Sequence, residues 1–421
     1  MQQQIAPTDG SRLSGQRRTS AHAISEGRPY FDAAEMAGHG HATTGRTTAW
    51  GNDPLDSCRR EIDFVRRSYL GLDTHPVVVA SAIEAIEVHR SLHWSSARTR
   101  LKFDLLGELE ELLSEIFSAR VLAFSSGMLA NLGAMPILAT GQLTGGTKPV
   151  VVFDQSAHIS LTYHKPMVAD ETRVETIAHN DIDALERLCR KTPVVAYVCD
   201  GVYPMGGYSP IRELRQLQER YGLFLYIDDG HGISILGRQG EGFARSQIPQ
   251  VLGNRTIIAA SLAKGFGASG GVLMLGAADQ EALFRRFSIP YAFSMPPNLA
   301  AIGAALGSCK IHRSAELGHR QRQLAQRIHL FDRRVATAEQ GNSLPIRTIT
   351  IGSKANAIAI ARELLDCGFY TFVTSLPAVG QGKAGIRVCI TAEHAIRDIE
   401  RLCDSILHTV AETTGKPYPL R

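Results

Sequence analysis

Four short stretches of this chain consist only of β-branched or apolar residues: Pro149-Val-Val-Val-Phe153, Pro193-Val-Val-Ala-Tyr-Val-Cys199, Leu223-Phe-Leu-Tyr-Ile227 and Thr256-Ile-Ile-Ala-Ala260. A strand with one wet face alternates apolar and polar residues. A strand that does not alternate is buried on both faces, as in a mostly parallel sheet covered by helices. Asp181 to Arg190 and Ile211 to Tyr221, lying between these runs, have helical periodicity and supply such covers. Upstream, Glu108 to Phe117 reads as an amphipathic helix and Val121 to Phe124 as another buried strand. The pattern predicts an α/β fold with a mostly parallel central sheet and helices on both faces.

The residues at the ends of these runs point to chemistry. Asp154, Asp200, Asp228 and Ser261-x-x-Lys264 each come directly after a predicted strand. Ligands of open α/β sheets bind outside the carboxyl ends of the strands, so these distant residues are expected to meet at one crevice. Lys264 sits in Ala259-Ala-Ser-Leu-Ala-Lys-Gly-Phe-Gly-Ala-Ser-Gly-Gly271, and Asp228 opens Asp228-Asp-Gly-His231-Gly. A lysine can form a Schiff base with an aldehyde, and an aspartate can keep a pyridine nitrogen protonated, so the pair reads as a pyridoxal phosphate site. Gly265-Phe-Gly267-Ala-Ser-Gly270 matches the dinucleotide pattern G-x-G-x-x-G, but it runs into the strand-like Gly271-Val-Leu-Met-Leu instead of a helix. Its glycines are read as permitting tight turns beside a bulky ligand.

A chain of 421 residues, 44% hydrophobic and 20% charged, can bury one large core and a smaller one. The net charge of +4 is spread among carboxylates without stacking aromatics, which disfavours nucleic acid as a partner. Seven separated cysteines with no C-x-x-C argue against a disulfide framework and a zinc site, and fit a reducing cytoplasm. No run reaches membrane-helix length, and no basic-then-apolar leader is present. Residues 1–56, rich in Gln, Ser, Thr, Gly and Arg, read as a flexible extension in which His39 and His41 are solvated. The remaining chain divides into 57–107, a segment expected to pack with the small domain; 108–305, a large cofactor-binding domain; and 306–421, a small α+β domain.

Several segments in order carry a family resemblance: Tyr69-Leu-Gly-Leu, Ser126-Gly-Met-Leu-Ala-Asn131, Ala178-His-Asn-Asp181, Asp200-Gly-Val-Tyr-Pro-Met-Gly206, Asp228-Asp-Gly-His-Gly232 with Gly237-Arg-Gln-Gly-Glu-Gly242, Ser261-Leu-Ala-Lys-Gly-Phe-Gly267, Ser294-Met-Pro-Pro297 and Ile386-Arg-Val-Cys-Ile-Thr391. From about Tyr69 onward the chain resembles the α-oxoamine synthases, fold-type I pyridoxal phosphate enzymes. The resemblance implies roles by position. Lys264 corresponds to the Schiff-base lysine, Asp228 to the partner of the pyridinium, His231 to the histidine near the phenolic oxygen and His158 to the ring stacked on the pyridine. Alone, His158 would read as a satisfied core histidine. Ser126, Gly127, Met128 and Ser261 correspond to the phosphate contacts, at a strand-to-helix turn suited to an anion. Arg387 corresponds to the residue gripping the substrate carboxylate, a task for a bidentate fork. Asp229 is expected to cap or support.

Departures bear on the substrate. Arg66-Arg67-Ser68-Tyr69 replaces a common Asn before Asp-Tyr-Leu-Gly, Pro204 replaces a serine, and Ala292-Phe293 lacks the usual hydroxyls before Ser-Met-Pro-Pro. Trp94-Ser-Ser-Ala-Arg-Thr-Arg100 replaces a glycine-rich stretch, which reshapes the acyl pocket. The implied activity is condensation of an amino acid with an acyl thioester, on coenzyme A or a carrier protein. Loss of carbon dioxide would give an α-aminoketone through a quinonoid, in a homodimer with the active site at the interface. An aminotransferase or aldolase-like lyase, and a non-catalytic partner subunit, are the alternatives; retention of Lys264, Asp228 and His231 disfavours the last.

Overall fold

The computed structural model describes Asp32, Met36 and residues 61–99, 103–248, 251–375 and 382–418. The expected extension over residues 1–56, with His39 and His41, lies outside the described residues except for Asp32 and Met36.

A seven-stranded sheet forms the centre: β1 Arg120–Phe124, β2 Val150–Asp154, β3 Val174–Ile177, β4 Val195–Asp200, β5 Phe224–Asp228, β6 Thr256–Ser261 and β7 Gly271–Leu275. Their order across the sheet is β1-β7-β6-β5-β4-β2-β3, and only β7 runs against the rest. All four non-alternating runs are therefore interior strands. Successive residues feed opposite cores: Val152, Tyr197, Leu225 and Ile258 pack with Leu106, Leu109 and Leu113 of helix Asp104–Phe117, while Val151, Phe153, Val198 and Tyr226 pack with Ala130, Ala134 and Leu138 of helix Gly127–Ala139. The edge strand β3 escapes the sequence reading because Val174 alone among its four residues is buried. Helix Ile211–Tyr221 has the expected bounds, and Asp181 caps helix Ile182–Lys191 by accepting from Ala184 N–H at 2.8 Å.

The smaller C-terminal α+β region holds a three-stranded antiparallel sheet of Phe372–Thr374, Ala384–Cys389 and Ile346–Gly352, with Ala384–Cys389 in the middle. Its apolar cluster includes Ile349, Ile386, Leu364 and Leu402, and also Phe64, Tyr69, Leu70 and Leu72 from the start of the described chain. Residues Ile62–Asp63 pair in parallel with Phe369–Tyr370. The fully buried Arg347 grips Asp332 through Nε–Oδ1 at 2.6 Å and Nη2–Oδ2 at 2.8 Å, tying helix Ala315–Asp332 to the sheet. Removing one member of such a pair typically costs about 3–5 kcal/mol, because the other charge stays buried. No helix among the described residues is long and apolar enough to cross a membrane.

Candidate active site

Asp200, Asp228 and Ser261 are the last residues of β4, β5 and β6, and Asp200 stands directly opposite Asp228 in the ladder. Beyond β6 the chain makes a closed turn: Leu262 N–H donates to Gly270 O at 3.0 Å, Ala268 N–H to Leu262 O at 2.9 Å and Gly267 N–H to Lys264 O at 3.0 Å. The turn is braced from behind by Ser308, whose hydroxyl donates to Phe266 O at 2.6 Å, and by His312, whose ring stacks on Phe266 at 4.5 Å. Gly267 has φ +74°, and a Cβ there would lie 2.4 Å from Leu72 Cβ, so glycine is required twice over. Lys264 rides on this turn. Lost hydration lowers its pKa to about 8; Asp228 opposes that shift, while the charges of Arg67 and Arg387 add to it. An amine in this range has a neutral, nucleophilic fraction near physiological pH.

Asp228 is oriented from two sides. Gly230 N–H donates to Oδ1 at 3.0 Å and Asn131 Nδ2 to Oδ2 at 2.9 Å. At Gly230 an added Cβ would come 3.1 Å from Asp228 Oδ1 and 3.2 Å from Lys264 Nζ, so the glycine keeps open the space between carboxylate and amine. His231 is buried, and its Nδ1 lies 2.7 Å from Tyr69 OH. Burial, reinforced by Lys264 and Arg67, holds His231 well below the usual histidine range, so the ring is neutral. His158 is fixed through its backbone, whose N–H donates to Asp200 Oδ2 at 2.8 Å. Burial lowers its pKa as well, against the pull of Asp228.

The turn after β1 makes an anion cradle. Ser126 is the N-cap of helix Gly127–Ala139, its Oγ accepting from Leu129 N–H at 3.2 Å. The first-turn N–H groups of Gly127 and Met128 have no partner within the helix. Met128 is 46% exposed, so only its backbone serves such a cradle. A Cβ on Gly127 would stand 3.4 Å from Ser261 Cβ, and one on Gly271 would come 2.4 Å from Gly127 N, which brings Ser126, Gly127 and Ser261 together and explains the glycine that opens β7. From the C-terminal sheet, Arg387 reaches the same region. It is 2% exposed, its Nη1 donates to Pro204 O at 3.2 Å, and its guanidinium lies 4.5 Å from the Phe372 ring centroid. Its buried Nε has no partner. A buried donor without an acceptor is costly, and a substrate carboxylate would satisfy it.

Every sequence-predicted site residue thus falls at the carboxyl edge of the large sheet or just across from it. Asp154 is the exception among the strand-end carboxylates: it is saturated by His179 Nδ1 at 3.0 Å, Asn180 N–H at 2.9 Å, Ser156 N–H at 2.7 Å and Tyr197 OH at 2.8 Å, a structural knot. Asp229 caps the short helix Phe243–Ser246 by accepting from Ala244 N–H at 2.9 Å, and burial raises its pKa to about 8. The departure at Pro204 removes a donor, yet its carbonyl holds Arg387. Arg67 is exposed and makes no hydrogen bond or ion pair with the described residues. Asp200 is placed at the crevice by its strand-end position in the sequence, whereas Tyr69, Asn131 and Ser160 carry no site role legible there. Tyr69 and Asn131 lie in the segments carrying the resemblance, but nothing local tells that their side chains meet His231 and Asp228.

An aldehyde-bearing pyridine phosphate fits these residues: an amine of lowered pKa, a carboxylate held by two donors, a buried neutral histidine and a helix-start cradle. The comparisons agree. The model of the family described as aminotransferase class I and II matches residues 62–406. An 8-amino-7-oxononanoate synthase of Maricaulis maris is 31% identical over 357 residues, covering 83% of this chain and 86% of that protein. Among solved structures, a serine palmitoyltransferase from S. paucimobilis bearing a pyridoxal phosphate–myriocin adduct superposes with a TM-score of 0.78 at 19% identity, covering 95% of this chain and all of the other. An 8-amino-7-oxononanoate synthase from Francisella tularensis gives 0.70 at 18%, covering 84% and 98%. The chain belongs to the α-oxoamine synthase branch of the aminotransferase class I and II family, with pyridoxal phosphate as its cofactor.

Proposed function

We propose that this enzyme joins an amino acid to the acyl group of a thioester, on coenzyme A or a carrier protein, with loss of the amino acid's carboxylate, to give an α-aminoketone. The observation that carries the reading is the pairing of Lys264 with the unsatisfied Arg387 Nε across one crevice. The product that names the curated relatives, with amine and ketone on adjacent carbons, is the kind this condensation makes.

The bound cofactor supplies an electron sink for the carbon that loses its proton or carboxylate. The protein's residues do the rest. Ser126, Ser261 and the N–H groups of Gly127 and Met128 would hold the phosphate. Asp228, kept in place by Asn131 and Gly230, would hold the ring nitrogen of the cofactor protonated, and His158 would help to bind its ring. His231, neutral and fixed by Tyr69, would offer its ring to the cofactor's phenolic oxygen. Arg387 orients the amino acid through its carboxylate, and Lys264, once freed as an amine, takes and returns the α-proton. Exposed Arg67 adds positive charge at the mouth, where an anionic group on either substrate can meet it.

We further propose a homodimer with the active site at the interface, working in the cytoplasm. Phe287, Ile289 and Phe293 are each more than 60% exposed, and helix Pro76–His89 also exposes Val79, Ile83 and Val88.

The test is thiol release from a panel of acyl thioesters, each paired with single amino acids, with mass analysis of the product. Release that depends on one amino acid and yields an aminoketone supports the reading. Formation of a keto acid from the amino acid with no thioester present replaces it with transamination.

A further inference from the structure

The buried polar atoms behind the cofactor site form one directed chain. Tyr226 OH lies 2.8 Å from Asn131 Oδ1; Asn131 Nδ2 lies 2.9 Å from Asp228 Oδ2 and 3.1 Å from Ser160 Oγ; Ser160 Oγ lies 2.8 Å from His158 Nδ1. Asn131 and Tyr226 are fully buried and Ser160 nearly so. Burial keeps the Tyr226 phenol far above its ordinary pKa, so it stays protonated and donates to Asn131 Oδ1. That fixes which end of the Asn131 amide is oxygen, and turns its two N–H bonds toward Asp228 and Ser160. Ser160 Oγ therefore accepts from Asn131, and its own proton is free for His158. The backbone N–H of Ser160 also points at His158 Nδ1, at a longer 3.2 Å, so the hydroxyl at 2.8 Å supplies the shorter and stronger of the two bonds that make Nδ1 an acceptor. The neutral ring then carries its proton on Nε2.

We infer that Asn131 and Ser160 are positioning residues: through one amide and one hydroxyl they lock the carboxylate that holds the cofactor nitrogen and the tautomer of the ring that stacks on it, as a single unit. Three segments supply the unit, at residues 131, 158–160 and 226–228, so it exists only in the folded chain. Asn131 is not replaceable by a residue that donates once, because it serves two acceptors. Ser160 is not replaceable by alanine, because His158 Nδ1 then loses one of its two donors. The inference rests on the assignment of Asp228 and His158 to the cofactor ring.

The experiment uses the holoenzyme labelled with 15N at histidine, His158 being assigned by the signal lost in His158→Gln. Imidazole nitrogen shifts report the tautomer, and equilibrium dialysis reports the dissociation constant of pyridoxal phosphate. Wild type is expected to show His158 as a single tautomer with Nδ1 unprotonated. Ser160→Ala should give a tautomer mixture, and Ser160→Thr, which keeps the hydroxyl, should restore the single form. Asn131→Ala should raise the cofactor dissociation constant about tenfold or more through loss of a charge-assisted donor. An unchanged tautomer in Ser160→Ala overturns the inference, including where Asn131→Ala fails to fold. So does unchanged cofactor binding by a folded Asn131→Ala. Asp228→Ala separates the two levels. If it weakens cofactor binding while Asn131→Ala does not, only the positioning unit is wrong; if it too has no effect, the assignment of Asp228 falls and the inference with it.

Discussion

Lys264 should destabilise the cofactor-free protein at neutral pH. In the unfolded chain this amine titrates at its ordinary value of 10.5, and in the native site at about 8. Between those two values the unfolded chain holds a proton at this position and the native site does not, so stability rises with pH across that window. Below pH 8 both states are protonated, and the native state bears the full burden of a poorly hydrated ammonium, about 3 kcal/mol from 1.36 kcal/mol per pKa unit. Lys264→Met keeps most of the aliphatic stem and removes the charge. The variant, prepared without cofactor, should be more stable than the wild-type apoprotein by up to about 3 kcal/mol at pH 7, with the gap narrowing to roughly 1 kcal/mol by pH 9.5. Urea unfolding of both proteins at pH 7, 8.5 and 9.5, followed by circular dichroism, measures the gap and its slope. The same variant should be inactive. Equal stabilities at pH 7, or a gap that widens as pH rises, would refute the claim that burial dominates this amine.

Two further outcomes test the substrate side and the assembly. Arg387→Ala should raise KM for the amino acid about ten- to a hundredfold, the worth of a charged hydrogen bond, and steady-state kinetics with amino acid as the varied substrate reads it; an unchanged KM would remove Arg387 from the carboxylate site. Phe293→Asp, at a position 61% exposed, should shift the protein toward monomer in light scattering while leaving the isolated subunit folded, and a variant with the mass of the wild type at every concentration would detach this face from the interface.

Chemistry that depends on residue type at a strand end was legible in the sequence. The runs ending at Asp200, Asp228 and Ser261 had to be buried on both faces because none of them alternates, and such strands place their last residues along one edge. Lys264 followed from the same logic, and the glycines around it from the tight turn. Strand Val174–Ile177 was not legible, since an edge strand with a single buried residue carries too little apolar signal. Nor was the saturation of Asp154, which has the same local sequence context as Asp228. One carboxylate meets four donors and the other is left open toward Lys264, and only the approach of His179, Asn180 and Tyr197 decides between them.

Local sequence determines which backbone each segment adopts, because burial on both faces and helical periodicity are properties of neighbouring residues. It thereby set the α/β class, the common edge and the residue types available there. The tertiary structure alone decided which side chains share a proton or a charge. Tyr69 and His231 are 162 residues apart, and Asn131 and Asp228 are 97 apart. Contacts at that separation come from how the layers pack, and no pattern along the chain encodes the 2.7 to 3.1 Å distances at which a hydrogen bond becomes a functional arrangement.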